Sequence, residues 1–351
     1  MIEVGKLISE FGQIFLGAFL LCLILCAFAR KYFPKWGMLD RPEKYGLERK
    51  PIPYYGGVLI FAAVLFMVLV FVPLSPQLTA LVLGACVIVI VGFIDDLVGL
   101  SAFVRLFVQF FACLILIKGG IGILSINMPF LGVLDFTNPI VGGIHILSAA
   151  FTILWVMSIV NTMNFVDGVS GLSSGVSFVA GMTIFFLSIN PELHADLASQ
   201  LPVAMISLIL AGASLAFLLF DFPKPKMLMG DTGSTFLGFM IATLAIFSGG
   251  KVATAFLVLG IPILDMVWVV LRRIWNGQKF WHGDSKHMHH RLLDIGFSER
   301  KVVTLYLMIT AFFGVTAVAL VNNEQKFFML IGLVTLMVIF ATVLILVPKK
   351  R

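Results

Sequence analysis

The chain has 351 residues, of which 60% are hydrophobic and 12% charged, with a formal net charge of +6 and a mean hydropathy of +1.08. Soluble domains are about 45–50% apolar and about 25% charged, so this composition excludes an ordinary soluble globular protein. It predicts a polytopic membrane protein, for which chain length sets no domain count.

Eleven apolar runs approach the 17–25 residues that a transmembrane helix needs. They lie at about 11–30, 55–73, 78–94, 103–118, 144–160, 172–190, 201–220, 234–249, 252–271, 302–321 and 327–347. Basic residues follow the first run densely, whereas a signal peptide carries its charge before the apolar segment. We therefore expect a retained first helix and an all-α bundle of about eleven transmembrane helices, forming one catalytic domain over residues 1–351.

The basic residues predict the orientation of this bundle. Alternate loops and the C-terminal tail hold 20 of the 24 Lys and Arg residues. By the positive-inside rule, the N-terminus is outside and the C-terminus cytoplasmic, in the inner (plasma) membrane. The predicted cytoplasmic loops are residues 31–54, 95–102, 161–171, 221–233 and 272–301, and they hold most of the polar motifs.

Two further features suggest structural roles. The outside loop GILSINMPFLGVLDF (Gly122–Phe136) alternates loosely around a proline and a glycine, which predicts a short external β-hairpin. The four cysteines lie within apolar runs. We interpret them as small buried hydrophobic residues that form neither a disulfide nor a metal site.

The first cytoplasmic loop contains LDRPEKYGLERKPIPYYGG (39–57), which is basic and rich in proline and glycine. One interpretation is a simple positive-inside anchor. The other makes Arg49 and Lys50 phosphate contacts, because the prolines stiffen the backbone and the Gly56-Gly57 pair then opens it.

The second loop follows VIVIVGFIDDLVG (87–99) and begins with Asp95 and Asp96. Adjacent carboxylates suit a hard cation, and Mg²⁺ commonly takes one or two carboxylates together with substrate phosphates. The pattern D-D-x-x-D is absent, because Gly99 occupies its last place. That departure argues against a prenyl-diphosphate synthase.

The third and fourth loops carry amides and further acids. Asn161, Asn164 and Asp167 are spaced to share one face of a helix end, which indicates either recognition of sugar or base edges or helix capping. MGDTGS places Asp231 in a glycine-rich turn directly before an apolar run. The glycines allow close approach of an anion, and Asp231 is a candidate ligand for the accompanying metal; no P-loop pattern occurs.

The fifth loop, KFWHGDSKHMHHRLLDIGFSERK (279–301), concentrates His287, His289, His290 and Arg291 within five positions. A zinc site is one alternative, but no cysteine lies near this loop in the sequence and the H-E-x-x-H pattern is missing. The partly cationic cluster favours an anionic ligand such as a diphosphate.

Asp265 is the one acid inside a predicted span. Intramembrane carboxylates are functional by default. The alternative is a structural ion pair with Arg272 or Arg273, which follow seven and eight residues later.

Together these loops predict a site for metal-assisted phosphoryl transfer between a soluble phosphate donor and a lipid acceptor. The ordered motifs resemble the polyprenyl-phosphate N-acetylhexosamine-1-phosphate transferases (glycosyltransferase family 4), and especially the branch that transfers N-acetylglucosamine (GlcNAc) 1-phosphate. The motifs that carry this resemblance are RKPIPYYGG, GFIDDLVG, NTMNFVDGVSGL, MGDTGSTFLGF and DSKHMHHRLL.

The resemblance implies transfer of a sugar 1-phosphate from a UDP-sugar to undecaprenyl phosphate, with release of UMP, to initiate a cell-envelope polysaccharide. It implies Mg²⁺ (or Mn²⁺), a homodimer and no nucleic-acid partner. The catalytic residues it implies are Asp95 as the base, Asp96 near the metal and diphosphate, and Asp231 as the Mg²⁺ ligand. The binding residues it implies are Asn161, Asn164, Asp167 and Ser170 for the nucleotide, and Lys50, His287, His289, His290 and Arg291 for phosphate and sugar.

One departure from the family pattern lies in the third loop. The family commonly has D-G-x-D-G, whereas this chain has DGVSG, with Ser170 in place of the second acid. Two other functions stay open: a phospho-MurNAc-pentapeptide translocase, and a secondary transporter of an anionic metabolite. Transporter sites lie near the membrane midplane, whereas the polar motifs here cluster at one face.

Overall fold

The computed structural model describes residues 2–45, 49–128, 132–194, 196–248, 256–275, 277, 288–320 and 322–347. Its helices in chain order are α1 (Ile2–Tyr32), α2 (Gly56–Phe71), α3 (Pro76–Val98), α4 (Ala102–Lys118), α5 (Ile146–Val166), α6 (Leu172–Ser188), α7 (Leu201–Asp221), α8 (Gly230–Phe247), α9 (Gly260–Trp275), α10 (Met288–Asp294), α11 (Glu299–Ala319) and α12 (Asn323–Leu346).

Each of the eleven predicted apolar runs overlaps one of these helices. Residue 249 of the eighth run, residues 252–255 of the ninth and residue 321 of the tenth lie outside the described residues. Within the described part of the chain, six helices are long and apolar enough to cross a membrane, and α2 and α6 are shorter apolar helices. The chain is therefore a multi-pass membrane protein. The crossing number of eleven and the orientation stay predictions.

The predicted hairpin is confirmed. β1 (Ser125–Met128) pairs antiparallel with β2 (Gly132–Asp135), and the turn at 129–131 lies outside the described residues. A second hairpin, which was not predicted from the sequence, joins β3 (Ile140–Val141) to β4 (Ile144–His145). Its turn consists of two glycines with φ of 57° and 79°, which is the glycine pair that favours a two-residue hairpin turn.

Helix α8 lies at the centre of the bundle, against α2, α3 and α5, and it is the most enclosed of the candidate spans. Glycines allow its neighbours to approach closely, as in many membrane helix contacts. An added Cβ on Gly92 of α3 would lie 2.8 Å from the Cα of Thr232, and one on Gly57 of α2 would collide with the backbone of Gly233. Helices α2 and α3 thus converge on the first turn of α8.

The connection between α3 and α4 is short and well defined. Helix α3 ends at Val98, and the side chain of Ser101 then accepts a hydrogen bond from the amide of Val104 to cap α4. Serine is among the preferred N-cap residues. The chain therefore reverses within a few residues, and the first turn of α4 lies beside the last turn of α3.

Candidate active site

An arginine and two carboxylates meet where α3, α4 and α8 converge. The Nη1 atom of Arg105 donates to Oδ2 of Asp95 at 3.3 Å and to Oδ2 of Asp231 at 3.1 Å. The side chain of Asp95 is 6% exposed, whereas those of Asp231 and Arg105 are both 38% exposed. One guanidinium nitrogen therefore joins a buried acid to an accessible one.

Asp96 has different neighbours from Asp95. Its Oδ1 accepts from the hydroxyl of Tyr54 at 3.0 Å and from the backbone amide of Asp231 at 2.8 Å. Its Oδ2 accepts from the amide of Thr232 at 3.1 Å and from the Thr232 hydroxyl at 2.5 Å. Met229, at the N-cap position, makes no side-chain cap. Asp96 therefore caps α8 from α3, supplying the acceptor that helix termini require.

This cap requires a glycine at residue 230. Gly230 has φ of +73°, a left-handed conformation that costs an L-residue roughly 1–2 kcal/mol. An added Cβ would also lie 2.5 Å from Oδ2 of Asp96. The glycine before Asp231 thus allows the carboxylate of Asp96 to reach the helix end.

The first loop docks against the segment that precedes α8. The amide of Leu228 donates to the carbonyl of Pro53 at 2.9 Å, and the amide of Gly57 donates to the carbonyl of Met229 at 2.9 Å. With the Tyr54 hydroxyl on Asp96, these bonds fix the loop beside the carboxylates.

The two basic residues predicted as phosphate contacts in this loop are placed differently. Arg49 forms an ion pair with Asp40, whose Oδ1 also accepts the amide of Ile52 at 2.7 Å. The side chain of Lys50 is exposed to solvent. Arg49 therefore organises the loop, and Lys50 is the accessible cation of the pair.

Of the three residues on the predicted amide face, Asn164 joins the carboxylates directly. Its Nδ2 donates to Oδ1 of Asp231 at 3.0 Å and to the Ser234 hydroxyl at 3.1 Å. Nδ2 of Asn161 instead donates to Oε1 of Gln109 at 2.7 Å. The amide face thus connects α5 to both α8 and α4.

Asp167 follows α5 and begins a turn that contains Ser170. Burial first, and then the nearby carboxylates of Asp221 and Asp231, raise the pKa of Asp167 well above its ordinary value. Desolvation and like charges both disfavour an ionised acid. Asp167 therefore lies in the same acidic neighbourhood as Asp231.

The histidine segment reaches this turn through α10. An added Cβ on Gly168 would lie 3.3 Å from Nε2 of His289 and 3.4 Å from Nε2 of His290. Asp265 holds the start of α10, because its Oδ1 accepts the amide of Met288 at 2.8 Å and its Oδ2 lies 3.4 Å from Nδ1 of His289. The acid inside the ninth predicted span thus supports the histidine segment.

Arg291 and His287 are the other two residues of this segment that were predicted to bind phosphate or sugar. Arg291 donates from Nη2 to the carbonyl of Val347 at 2.7 Å, and its Nη1 lies 3.9 Å from Oδ2 of Asp294. The first contact ties α10 to the residue after α12, and the second lies within α10. His287 lies outside the described residues.

A shallow cleft open to solvent lies between α3, α4 and α8. Asp95, Arg105 and Asp231 line its polar part, and Val91 and Val108 line an apolar part. Such a cleft suits a ligand with a charged head and an apolar chain.

Asp231 fits a magnesium ligand better than Asp96 does. Among the described residues, no three His, Cys, Asp or Glu side chains cluster as metal ligands. Magnesium in phosphate-transfer sites needs only one or two carboxylates, with substrate phosphates and water completing its shell. The side chain of Asp231 is 38% exposed and each of its oxygens accepts one hydrogen bond, whereas each oxygen of Asp96 already accepts two.

Arg105 entered the sequence-based prediction only as one of the basic residues that set the orientation, and no role was predicted for Tyr54, Thr232 or Gln109. A signal for Arg105 was present. It is the one charged residue before Lys118 in the run AFVRLFVQFFACLILIK, with Gln109 four positions later. Residues four apart share a helix face, and an isolated charge in an apolar run indicates a partner.

Known proteins resemble this chain over nearly its whole length. Residues 78–249 match the family described as glycosyl transferase family 4. A "Probable undecaprenyl-phosphate N-acetylglucosaminyl 1-phosphate transferase" of Bacillus subtilis (strain 168) is 30% identical over 345 residues, covering 96% of this chain and 92% of the relative.

Two further relatives come from other bacteria. A "Decaprenyl-phosphate N-acetylglucosaminephosphotransferase" of Mycobacterium tuberculosis (strain ATCC 25618 / H37Rv) is 29% identical over 380 residues, covering 99% of this chain and 91% of the relative. An "Undecaprenyl-phosphate alpha-N-acetylglucosaminyl 1-phosphate transferase" of Escherichia coli (strain K12) is 28% identical over 319 residues, covering 85% of this chain and 82% of the relative.

Proposed function

Because the chain belongs to glycosyl transferase family 4, we propose that it transfers GlcNAc 1-phosphate from UDP-GlcNAc to undecaprenyl phosphate. A phosphate oxygen of the lipid attacks the β-phosphorus of the donor, and the bond from that phosphorus to the bridging oxygen breaks. UMP leaves with the bridging oxygen and its electron pair. The product is a lipid diphosphate sugar.

The observation that carries this proposal is the shared contact of Arg105 with Asp95 and Asp231. The reaction brings two anionic phosphates together, so the site must supply both positive charge and a proton acceptor. Arg105 supplies a cation at the mouth of the cleft. The lipid phosphate binds there, and its chain follows the apolar wall formed by Val91 and Val108.

Asp95 is the proposed base. Its carboxylate lines the cleft and accepts from Arg105 and from the amide of Leu100 at 2.5 Å. In this position it takes the proton of the lipid phosphate monoester, or orients that group when it arrives ionised. Asp96, with four donors on its two oxygens, instead holds the first turn of α8 and therefore Asp231.

Asp231 is the proposed ligand for Mg²⁺. When bound, the ion supplies charge stabilisation to the diphosphate of the donor. The amide of Asn164 fixes one carboxylate oxygen of Asp231, and Arg105 contacts the other.

We assign the donor to the side of the site formed by the α5–α6 turn and α10. Asn164 donates to Asp231, the charges of Asp231 and Asp167 interact, and His289 and His290 reach Gly168. This assignment is supported by the predicted nucleotide role of the turn and the predicted diphosphate and sugar role of the histidines. The proposed site faces the cytoplasm, where the basic loops are predicted to lie, and the proposed homodimer is a further expectation.

A product assay tests this function. Purified protein in detergent micelles, with UDP-GlcNAc, undecaprenyl phosphate and Mg²⁺, is expected to release UMP and to form a radiolabelled lipid from labelled sugar. EDTA should abolish the release, and an excess of Mg²⁺ or Mn²⁺ should restore it. A parallel reaction with UDP-MurNAc-pentapeptide tests the translocase alternative. No UMP release from any of several UDP-N-acetylhexosamines would overturn the proposal.

Arg105→Gln is expected to lower kcat/KM at least about 100-fold, since losing one preorganised charge contact at a transition state commonly costs 10²–10³. Arg105→Lys should recover part of this loss, because a single nitrogen makes both carboxylate contacts. Lys118→Gln, at the other end of α4, is the matched control and should leave kcat/KM within about twofold of the parent. Equal activity of Arg105→Gln and the control would contradict the assigned role.

A further inference from the structure

Asp221, the last residue of α7, is a buried acid with a contact that the proposed reaction does not use. Its side chain points to the start of α6 and the residue is 3% exposed. Its Oδ2 accepts the amide of Gly171 at 2.7 Å and the hydroxyl of Ser174 at 3.1 Å. A carboxylate of one helix therefore caps the N-terminus of another.

Helix α6 depends on this external cap. Its own N-cap residue is Gly171, which has no side chain to accept a backbone amide. Helix ends leave amides without an acceptor inside the helix, and Asp221 accepts the amide of Gly171 itself, as the acid of a capping box accepts the amide of its N-cap residue. Gly171 also has φ of +88°, and an added Cβ would lie 2.6 Å from Cβ of Phe222. Asp221 and Phe222 together fix where the turn before α6 ends.

The same turn has a second support at its beginning. We call residues Asp167–Gly171 the donor loop. Gly168 lies against the imidazoles of His289 and His290, and Asp167 is close enough to Asp231 and Asp221 for their charges to raise its pKa. The donor loop is therefore held between α10 on one side and the end of α7 on the other.

We propose that Asp221 is a positioning residue for the sugar-nucleotide donor, which fixes the donor loop through the cap of α6 without touching either substrate. This inference rests on the proposed function and assigns a role to a residue outside the proposed catalytic set. Loss of the cap releases Gly171 and, through four residues of backbone, displaces Asp167. The lipid site at Arg105 and Asp95 lies on α3 and α4 and does not depend on this loop.

Two substitutions at residue 221 separate the cap from the charge. Both hydrogen bonds end on one oxygen, so the amide oxygen of Asp221→Asn can accept both, whereas Asp221→Ala can accept neither. Asp221→Ala is expected to raise KM for UDP-GlcNAc at least tenfold while KM for undecaprenyl phosphate stays within twofold. Asp221→Asn should keep both constants within about 1.5-fold of the parent.

Ser174→Ala provides an independent test, because it removes one of the two donors and leaves Asp221 in place. It should raise the donor KM about threefold. Ser177→Ala is its matched control: this buried hydroxyl, one turn further along α6, donates to the carbonyl of Ser173 at 2.8 Å and does not touch the donor loop. If Asp221→Ala fails to fold, the donor KM of Ser174→Ala is compared with that of Ser177→Ala. A higher donor KM in Ser174→Ala supports the positioning role, and equal values overturn it.

Hydrogen–deuterium exchange tests the positioning role without activity. Peptides that cover the donor loop should exchange faster in Asp221→Ala than in the parent, and Asp221→Asn should match the parent. Unchanged exchange and an unchanged donor KM in folded Asp221→Ala would overturn the inference, as would an Asp221→Asn as impaired as Asp221→Ala. An inactive parent whose loop exchange follows the expected pattern would overturn the proposed function and leave the cap standing.

Discussion

Asp231→Asn is expected to lower kcat at least about 1,000-fold in a protein that still folds, the upper end of the effect of removing one preorganised electrostatic group. Asparagine keeps the size of the side chain and one acceptor oxygen. It loses the charge that contacts Arg105 and that would bind Mg²⁺. The first turn of α8 remains capped, because its cap comes from Asp96.

The measurement is UMP release under saturating donor and acceptor, with folding checked by size-exclusion chromatography and thermal unfolding. Asp135→Asn is the matched control, since this acid lies in the β1–β2 hairpin after the opposite end of α4 and is bound by Thr137. The control should retain full activity. Turnover of Asp231→Asn within tenfold of the parent at ordinary Mg²⁺ would remove Asp231 from the metal site.

Gly230→Ala is expected to lower kcat at least about 100-fold, because a displacement of about 1 Å in a catalytic group can cost that much. The new Cβ would meet the carboxylate of Asp96 at 2.5–2.9 Å. Either Asp96 leaves the end of α8 or the first turn of α8 shifts, and both changes move the neighbouring Asp231.

Gly37→Ala separates this collision from simple backbone strain. Gly37 has φ of +72°, nearly the same as Gly230, and nothing lies within 4 Å of its added Cβ. Both variants should lose about 1–2 kcal/mol of stability from the left-handed backbone, seen as a lower unfolding midpoint. Only Gly230→Ala should lose activity as well. Equal kinetics in the two folded variants would show that the contact of Asp96 with α8 is not needed for turnover.

The helical segments could be predicted because the pattern that specifies them is local. A run such as 201–220 must bury its apolar side chains whatever its neighbours are, and α7 lies at Leu201–Asp221. The hairpin at Gly122–Phe136 was predictable for the same reason. The β3–β4 hairpin carries an equally local signal in its two glycines, although it was not predicted.

The acidic residues of the candidate site could be predicted from the sequence, but the residues that contact their carboxylates could not. Asp95, Asp96 and Asp231 stand out because charges are costly beside apolar runs. Arg105 contacts Asp231 across 126 residues, and Thr232 contacts Asp96 across 136. No sequence periodicity records such separations, so the different neighbours of the adjacent aspartates emerge only when α3, α4 and α8 are packed together.

The capped end of α8 has a further consequence for the order in which ligands bind. When ionised, Asp95, Asp96 and Asp231 carry three negative charges, Arg105 offsets one, and the N-terminus of α8 offsets about half of another. The remaining charge of about −1.5 repels a free diphosphate, and one divalent cation would change it to about +0.5. The protein is therefore expected to take its nucleotide sugar together with the cation or after it, and binding of UDP-GlcNAc measured by calorimetry should weaken sharply when Mg²⁺ is withheld.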